Sequence, residues 1–323
     1  MKKVIFCGTA LMICSLALAQ TNDSYVSQVG TGNYGNVTQT GSLNDSDINV
    51  LGDNNGTDVT QLGSSNISEA IIEGDDNSIT IFQDGILNSS TLNVFGDANL
   101  ADVNQFGNDN ISLIDQIDGS AGNSAFVDQD GYFQDSKITQ KGGNDNLATV
   151  VQIGSAKNES RITQQDASLS SADVYQNGEG NISNVRMVGG TNNTVDIDQD
   201  GTNHNSRVSN AFGADNSVTV DQNGLGGHKS NAEQFATYGS SITVTQTGDG
   251  LRHDSFVRQE LGTANMANVT QNGSGQWSSV RQRGQPHPAG GGNMATVNQM
   301  GDMHMSTVIQ TGAANVVTVT QSN

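Results

Sequence analysis

A glutamine, any residue, then a glycine returns every eleven residues from Gln28 to Gln116, and with slips as far as Gln321. The first units end at Gln28, Gln39, Val50, Gln61, Ile72, Gln83, Val94, Gln105 and Gln116. An asparagine lies six residues before each: Asn22, Asn33, Asn44, Asn55, Asn66, Asn77, Asn88, Asn99 and Asn110. A short fixed period restricts a chain to stacked architectures, because one unit cannot cover its own apolar face and its neighbours must do so.

Within a unit the side chains alternate. In Asn77-Ser78-Ile79-Thr80-Ile81-Phe82-Gln83, strand geometry puts Asn77, Ile79, Ile81 and Gln83 on one face. Asn55/Thr57/Val59/Gln61, Asn99/Ala101/Val103/Gln105 and Asn44/Ser46/Ile48/Val50 repeat the pattern, and the alternate positions are mostly polar. Gly-rich tetrads such as Gly52-Asp53-Asn54-Asn55 separate the strands and suit tight left-handed corners. Because Val50, Ile72 and Val94 alternate with Gln39, Gln61, Gln83 and Gln105, the full repeat is 22 residues. The predicted fold is therefore all-β: a β-solenoid with two short strands per turn and cross-β-like amide ladders. Stacked strands lie ~4.8 Å apart, close enough for each inward amide to bond the one in the next turn. The expected ladder residues include Asn33, Gln39, Asn55, Gln61, Asn77, Gln83, Asn99, Gln105, Asn110, Gln116, Asn315 and Gln321.

Later units end at Gln129, Gln140, Gln152, Gln164, Gln176, Met187, Gln199, Ala211 and Gln222, then near Gln234 and at Gln246, Gln259, Gln271, Gln282, Gln299, Gln310 and Gln321. That makes about 26 strands, or about 13 turns, and at ~4.8 Å per turn a rod of ~60 Å. The wider spacings place insertions in corners. The largest, near residues 283–292, holds both prolines, Pro286 and Pro288, outside every predicted strand.

Residues 1–19 read as a secretory signal: Lys2 and Lys3, an apolar run, and Ala17-Leu18-Ala19 as the cleavage site. Residues 20–323 read as a single repeat domain. Cys7 and Cys14 both fall in the signal, so rigidity in the mature chain would come from ladders and not disulfides. Hydrophobic residues are only 33% of the chain, against about 45–50% in ordinary domains. Their regular spacing, not their number, argues for order. Residues 20–136 hold 18 acidic and no basic side chains; the remaining 11 basic residues start at Lys137. Such a surface excludes nucleic acid as a partner, since that needs basic faces to displace counterions.

Sharper chemistry finds little support. His253 and His304 occupy asparagine slots, His204 adjoins Asn205 in a corner, and His228 and His287 fall in glycine-rich loops. No paired histidine spacing suggests a zinc site. Asp53, Asp75 and Asp97 recur every 22 residues and should stack as a solvated acidic edge. No nucleophile elbow or triad stands out from the repeat. Neither catalytic residues, a metal site nor a cofactor is expected. Thr-x-Thr runs such as Thr243-Val244-Thr245 vary too much between units for a regular ice-binding lattice.

The order serine, Gln-x-Gly, asparagine, glutamine, read from Ser24 through Gln28, Gly30 and Asn33 to Gln39 and again in Asn315–Gln321, resembles the curlin family, the subunits of bacterial curli amyloid fibres. The resemblance spans the mature chain. It implies an exported subunit of a Gram-negative bacterium that stacks end to end into an adhesive, pilus-like biofilm fibre. The partners it implies are further copies of the chain, a nucleator or other curlin-like subunit, and an outer-membrane secretion apparatus. With about 13 turns the chain exceeds the family's familiar five, and it shows no glycine-rich segment after the signal. Both terminal units look uncapped, so each is expected to template the next subunit. A capped, non-polymerising adhesin or an ice-binding protein is the alternative. Replacing Gln83 by leucine is expected to weaken the ladder locally without abolishing assembly, given Val50, Ile72 and Val94 in equivalent slots.

Overall fold

The structure, a computed structural model, describes residues 21–285 and 291–323; the leader, His287 and both prolines lie outside the described residues. The described chain forms 26 strands from Asp23–Val29 to Val316–Ser322 and no helix. They build two 13-stranded parallel sheets by strict alternation. The first sheet takes Asp23–Val29, Asp45–Leu51, Ile67–Glu73 and every second strand to Met305–Thr311; the second runs from Tyr34–Ser42 to Val316–Ser322.

Consecutive strands do not pair with each other. Asp23–Val29 bonds to Asp45–Leu51 in the next turn, and Tyr34–Ser42 to Gly56–Ser64, each residue meeting its equivalent 22 positions on. The two strands of one turn face each other across the core as an arch, so all backbone pairing runs along the solenoid axis. This follows from the period: identical strands offer identical side chains at each row, and only stacking aligns the inward amides.

The core is narrow and mixed. Its apolar part is two columns at the centre of each arch, Ile48-Ala70-Leu92-Ile114-Ile138 in the first sheet and Val59-Ile81-Val103-Val127-Val150 in the second, all essentially inaccessible. The serine column and the amide positions flank them, and in the second sheet a further small-to-aliphatic column, Ile79-Ala101-Ala125-Ala148-Ala172, lies beside the central one. Outward positions are less polar than the alternation suggests: Leu51, Ile67 and Phe106 point to solvent, and Ile309 is 69% exposed.

The corners explain the glycine. Gly85 follows Gln83 by two and has φ 137°, and a Cβ there would drive into the carbonyl of Gly107 in the next turn. The residue before most corner asparagines sits in the left-handed region, even when it is Leu43, Leu87 or Ala98. For ordinary residues this conformation costs about 1–2 kcal/mol. It persists because the same N–H bonds a carbonyl of the preceding turn, as from Leu87 to Ser64 at 3.1 Å and Asn54 to Thr31 at 2.8 Å. Longer spacings are absorbed in the corners. The strand Trp277–Arg283 hands over to Met294–Asp302 across the longest connection, and Gln271 still meets Gln299 in register.

Candidate functional site

Two buried amide columns follow from the Gln-x-Gly positions, and they differ. In the second sheet every strand supplies glutamine. Each Nε2 donates to the Oε1 of the next turn, from Gln39 to Gln61 (2.8 Å), Gln61 to Gln83 (2.9 Å), Gln83 to Gln105 (2.8 Å) and onward to Gln299 and Gln321 (2.8 Å). The second N–H crosses the core to a backbone carbonyl of the first sheet, as from Gln83 to Ile67 at 2.9 Å and Gln321 to Met305 at 3.0 Å. A fully buried primary amide thus has both donors and one acceptor satisfied, which removes the desolvation cost that would otherwise exclude it.

In the first sheet the column is interrupted. Gln116, Gln140 and Gln164 bond in series at 2.9 Å, as do Gln234, Gln259, Gln282 and Gln310. Val50, Ile72 and Val94 form one aliphatic block, and Met187 forms a second break. Each break leaves one buried oxygen unpaired at its edge, Gln116 Oε1 after Val94 and Asn210 Oδ1 after Met187. Grouping the aliphatic residues confines that cost to the block's boundary. The alternation of glutamine with Val50, Ile72 and Val94 is therefore a difference between sheets. Because the Gln83 column has no such block, leucine at Gln83 is not equivalent to Ile72, and the expectation that Val50, Ile72 and Val94 occupy equivalent slots is corrected.

Side-chain size is matched across the core. Every first-sheet strand has serine four residues before its amide position, from Ser24 and Ser46 to Ser306. These small residues lie beneath the glutamines of the second sheet, and Gln61 Nε2 comes within 3.3 Å of Ser68 Oγ. Reciprocally, a Cβ on Gly35 would meet Gln28, and alanine recurs at that position as Ala101, Ala125, Ala148 and Ala172. A large amide opposite a small residue keeps the arch width constant.

The asparagine columns close the corners. Asn33 Oδ1 accepts the backbone N–H of Asn55 at 2.9 Å, and its Nδ2 donates to the Gly52 carbonyl at 2.7 Å. Asn55, Asn77 and Asn99 repeat the arrangement, Asn110 does so in the other sheet, and Asn315 accepts its place by donating to Asn293 Oδ1. The acidic edge is bonded in the same way: Asp53 Oδ1 accepts from Thr31 N–H, Asp75 from Asp53 and Asp97 from Asp75 (2.9 Å).

One reading of the sequence is overturned. The amide position expected at Ala211 belongs to Asn210, because Met187 pairs with Asn210 and Val188 with Ala211. Counting by glutamine fails there since neither neighbour is glutamine, whereas Ser206, four residues earlier, marks the register. The slip also misplaced His204, which is itself in the asparagine column, not beside it. His228, read as a loop residue, is fully buried in the same column. His253 follows, and the three rings stack at centroid distances of 5.0 and 4.5 Å. His204 Nδ1 accepts from His228 N–H (3.1 Å), His228 Nδ1 from His253 (3.3 Å) and His253 Nδ1 from Gln276 (3.2 Å). Each Nε2 faces a carbonyl, that of Asp200, Asn223 or Thr247. Facing a donor on one side and an acceptor on the other, the neutral Nε2–H tautomer is imposed. Burial lowers all three pKa values, that of His228 to about 4, with the neighbouring rings adding to the effect.

No group of side chains among the described residues is arranged to hold a metal ion. No curated protein matches the chain. A family model, the curlin associated repeat, matches residues 52–85, 74–107, 96–131 and 190–224. The first three matches start at Gly52, Gly74 and Asp97's neighbour Gly96, one 22-residue turn apart, so the family's unit and the structural turn coincide. The family is a structural, non-enzymatic one, and its repeat on a β-solenoid fits a curli-type subunit. With the same glutamines, glycines and asparagines setting both the match and the ladders, the chain is a curlin-repeat protein.

Proposed function

We propose that the protein is a structural subunit of an extracellular curli-type amyloid fibre, built by end-to-end templating of one solenoid on the next and serving adhesion and a biofilm matrix. It acts without catalysis or cofactor, and its principal partner is a second copy of itself.

The observation that carries this reading is the polarity of the ladders at the two end turns. At one end, Gln39 donates to Gln61 and its Oε1 faces outward along the axis; the Asn33 N–H does likewise. At the other end, Gln321 Nε2 uses one hydrogen on Met305 and Asn315 Oδ1 accepts nothing within the described residues. Gln321 would donate to Gln39, and Asn33 to Asn315, repeating bonds made at every internal turn. Such an interface is head-to-tail and does not close, so it generates a filament. Nothing among the described residues covers the edges of the first or last turn, and Val316 is 70% exposed.

Secretion by the leader and an outer-membrane apparatus belongs to the same proposal, as does growth from a nucleating subunit. The test is incubation of purified mature protein at high concentration, followed by thioflavin fluorescence and electron microscopy. Long unbranched fibres are expected. Protein that stays for days as separate rods of ~60 Å, with no thioflavin response, overturns the proposal in favour of a non-polymerising adhesin.

A further inference from the structure

From Asp135–Lys141 onward the two outer faces of the solenoid carry charge of opposite sign. Strands of the second sheet carry twelve acidic and no basic residues: Asp58, Asp84, Asp102, Asp128, Asp130, Asp173, Glu179, Asp196, Asp198, Asp200, Asp221 and Asp302. Every basic residue after the leader lies on the first sheet or, for Lys157 and Arg252, in the corners leading into it. From Asp135–Lys141 to Trp277–Arg283 the first-sheet strands hold nine basic and five acidic side chains.

Local pairing uses only part of that charge. Lys137 and Lys141 pair with Asp115 and Asp118, Arg161 with Glu159, and Arg258 with Glu233 and Glu260. Arg186, Arg207, Lys229, Arg281 and Arg283 are exposed and make no ion pair among the described residues. On the opposite face, Asp196, Asp198, Asp200 and Asp221 crowd together with no cation on any neighbouring strand. The Asp198 carboxyl is pushed above its ordinary value by burial and then by Asp221, Asp200 and Asp196. Asp173 and Asp221 are pushed the same way. The repulsion is uncompensated within one molecule.

We infer that the basic first-sheet face from Asp135–Lys141 to Trp277–Arg283 docks side by side on the acidic second-sheet face of another copy of this chain. The two faces share the ~4.8 Å row spacing of their strands, so charges on one meet charges on the other in register along the axis. Lys137, Arg161 and Arg207 occupy one outward column, and Asp173 and Asp196 one of the opposite sign. Seven strands of seven residues give a face of about 34 by 23 Å, roughly 800 Å² per partner, which is the size of a standard stable interface. The contact is lateral and uses no end turn, so it is independent of end-to-end growth. It would hold two rods, or two filaments, in parallel.

Three proteins test this: the wild type, R186E/R207E/K229E, and D196K/D198K/D221K. All substituted side chains are exposed, and the neutral set R186Q/R207Q/K229Q serves if a reversal disturbs folding by circular dichroism. Sedimentation velocity and filament width by electron microscopy are read at 20 and 500 mM NaCl. Wild type is expected to pair side by side at low salt and to separate at high salt, with pairing weakened about tenfold or more. Each reversal alone should remain single, and an equal mixture of the two should pair again, since the reversed faces complement each other. Filament length should not change in any of them, which separates failure here from failure of end-on assembly. Pairing unaffected by either reversal, or a mixture that stays single, overturns the inference. So does wild type that is single at low salt, whether or not its basic face captures an anionic polysaccharide.

Discussion

The three stacked histidines make stability depend on pH in a way the asparagine column elsewhere does not. Protonation at Nδ1 turns the acceptor for the next turn's N–H into a donor, so His228 would confront His253 N–H with a hydrogen of its own. Two charged rings 4.5 Å apart would also repel by about 4 kcal/mol at an effective dielectric of 20. For His228 the fall from the ordinary 6.5 to about 4 corresponds to about 3 kcal/mol. Below pH 6.5 the unfolded chain takes up a proton that the folded chain refuses, so stability drops with pH and the loss is complete near pH 4. His204 and His253 act in the same direction; Asp200 and Asp254 favour their charged forms but do not outweigh burial. Asp102, Asp128, Asp173, Asp198 and Asp221 have raised pKa values and oppose this, since the folded chain binds their protons first as pH approaches 3.8. The variant H204N/H228N/H253N keeps those carboxylates and restores the residue found one turn earlier, Asn181. Urea unfolding can be followed through Trp277, the only tryptophan, which pairs with Asp254 one turn beyond His253. Between pH 7 and pH 4 the wild type should lose about 3 kcal/mol more than the variant. Parallel losses in the two proteins would refute the claim that the buried rings are neutral.

The ladder itself is open to single substitutions. Gln83→Leu strips partners from Gln61 Nε2, Gln105 Oε1 and the Ile67 carbonyl, and at about 1–3 kcal/mol for each orphaned group it should lower the urea stability by at least about 3 kcal/mol. Ile72→Val, inside the aliphatic block, should cost about 1 kcal/mol; equal effects would show that amide continuity does not matter. Gly85→Ala, with φ 137° and the Gly107 carbonyl in its way, is expected to lose about 2 kcal/mol or more, read as a lowered thermal midpoint. Deleting residues 315–323 removes the last strand of the second sheet and should slow seeded thioflavin growth more than deleting residues 75–96, an internal turn that leaves both ends intact. Similar rates for the two deletions would count against templating at the ends.

Much of this was legible before any coordinates because a repeat states its answer many times. Asn77, Ile79, Ile81 and Gln83 could be assigned to one face from alternation alone, and the glycine at Gly85 marked the corner. The number of strands followed from counting. Reading failed where the repeat was degenerate in side chains: Ala211 was chosen over Asn210, and with that slip His204 left its column, while the glycines before His228 made it read as a loop residue. The serine column was a second register marker, present in every first-sheet strand, and it would have corrected the count. Exposed Leu87 in its left-handed corner was not legible, because propensity argues against it and only the bond to Ser64 in the neighbouring turn holds it there.

By itself the sequence determined the period, the inward face and the stacked class of fold, since those depend on which residues recur and at what spacing. The tertiary structure decided what recurrence cannot express. It separated the unbroken glutamine column from the interrupted one, because alternate strands belong to different sheets. It set three histidines ring on ring inside the core. It also gathered the mature basic residues, scattered along the chain, onto the first-sheet side and left the second sheet with acids alone, because strands 22 or more residues apart become neighbours only when the turns stack.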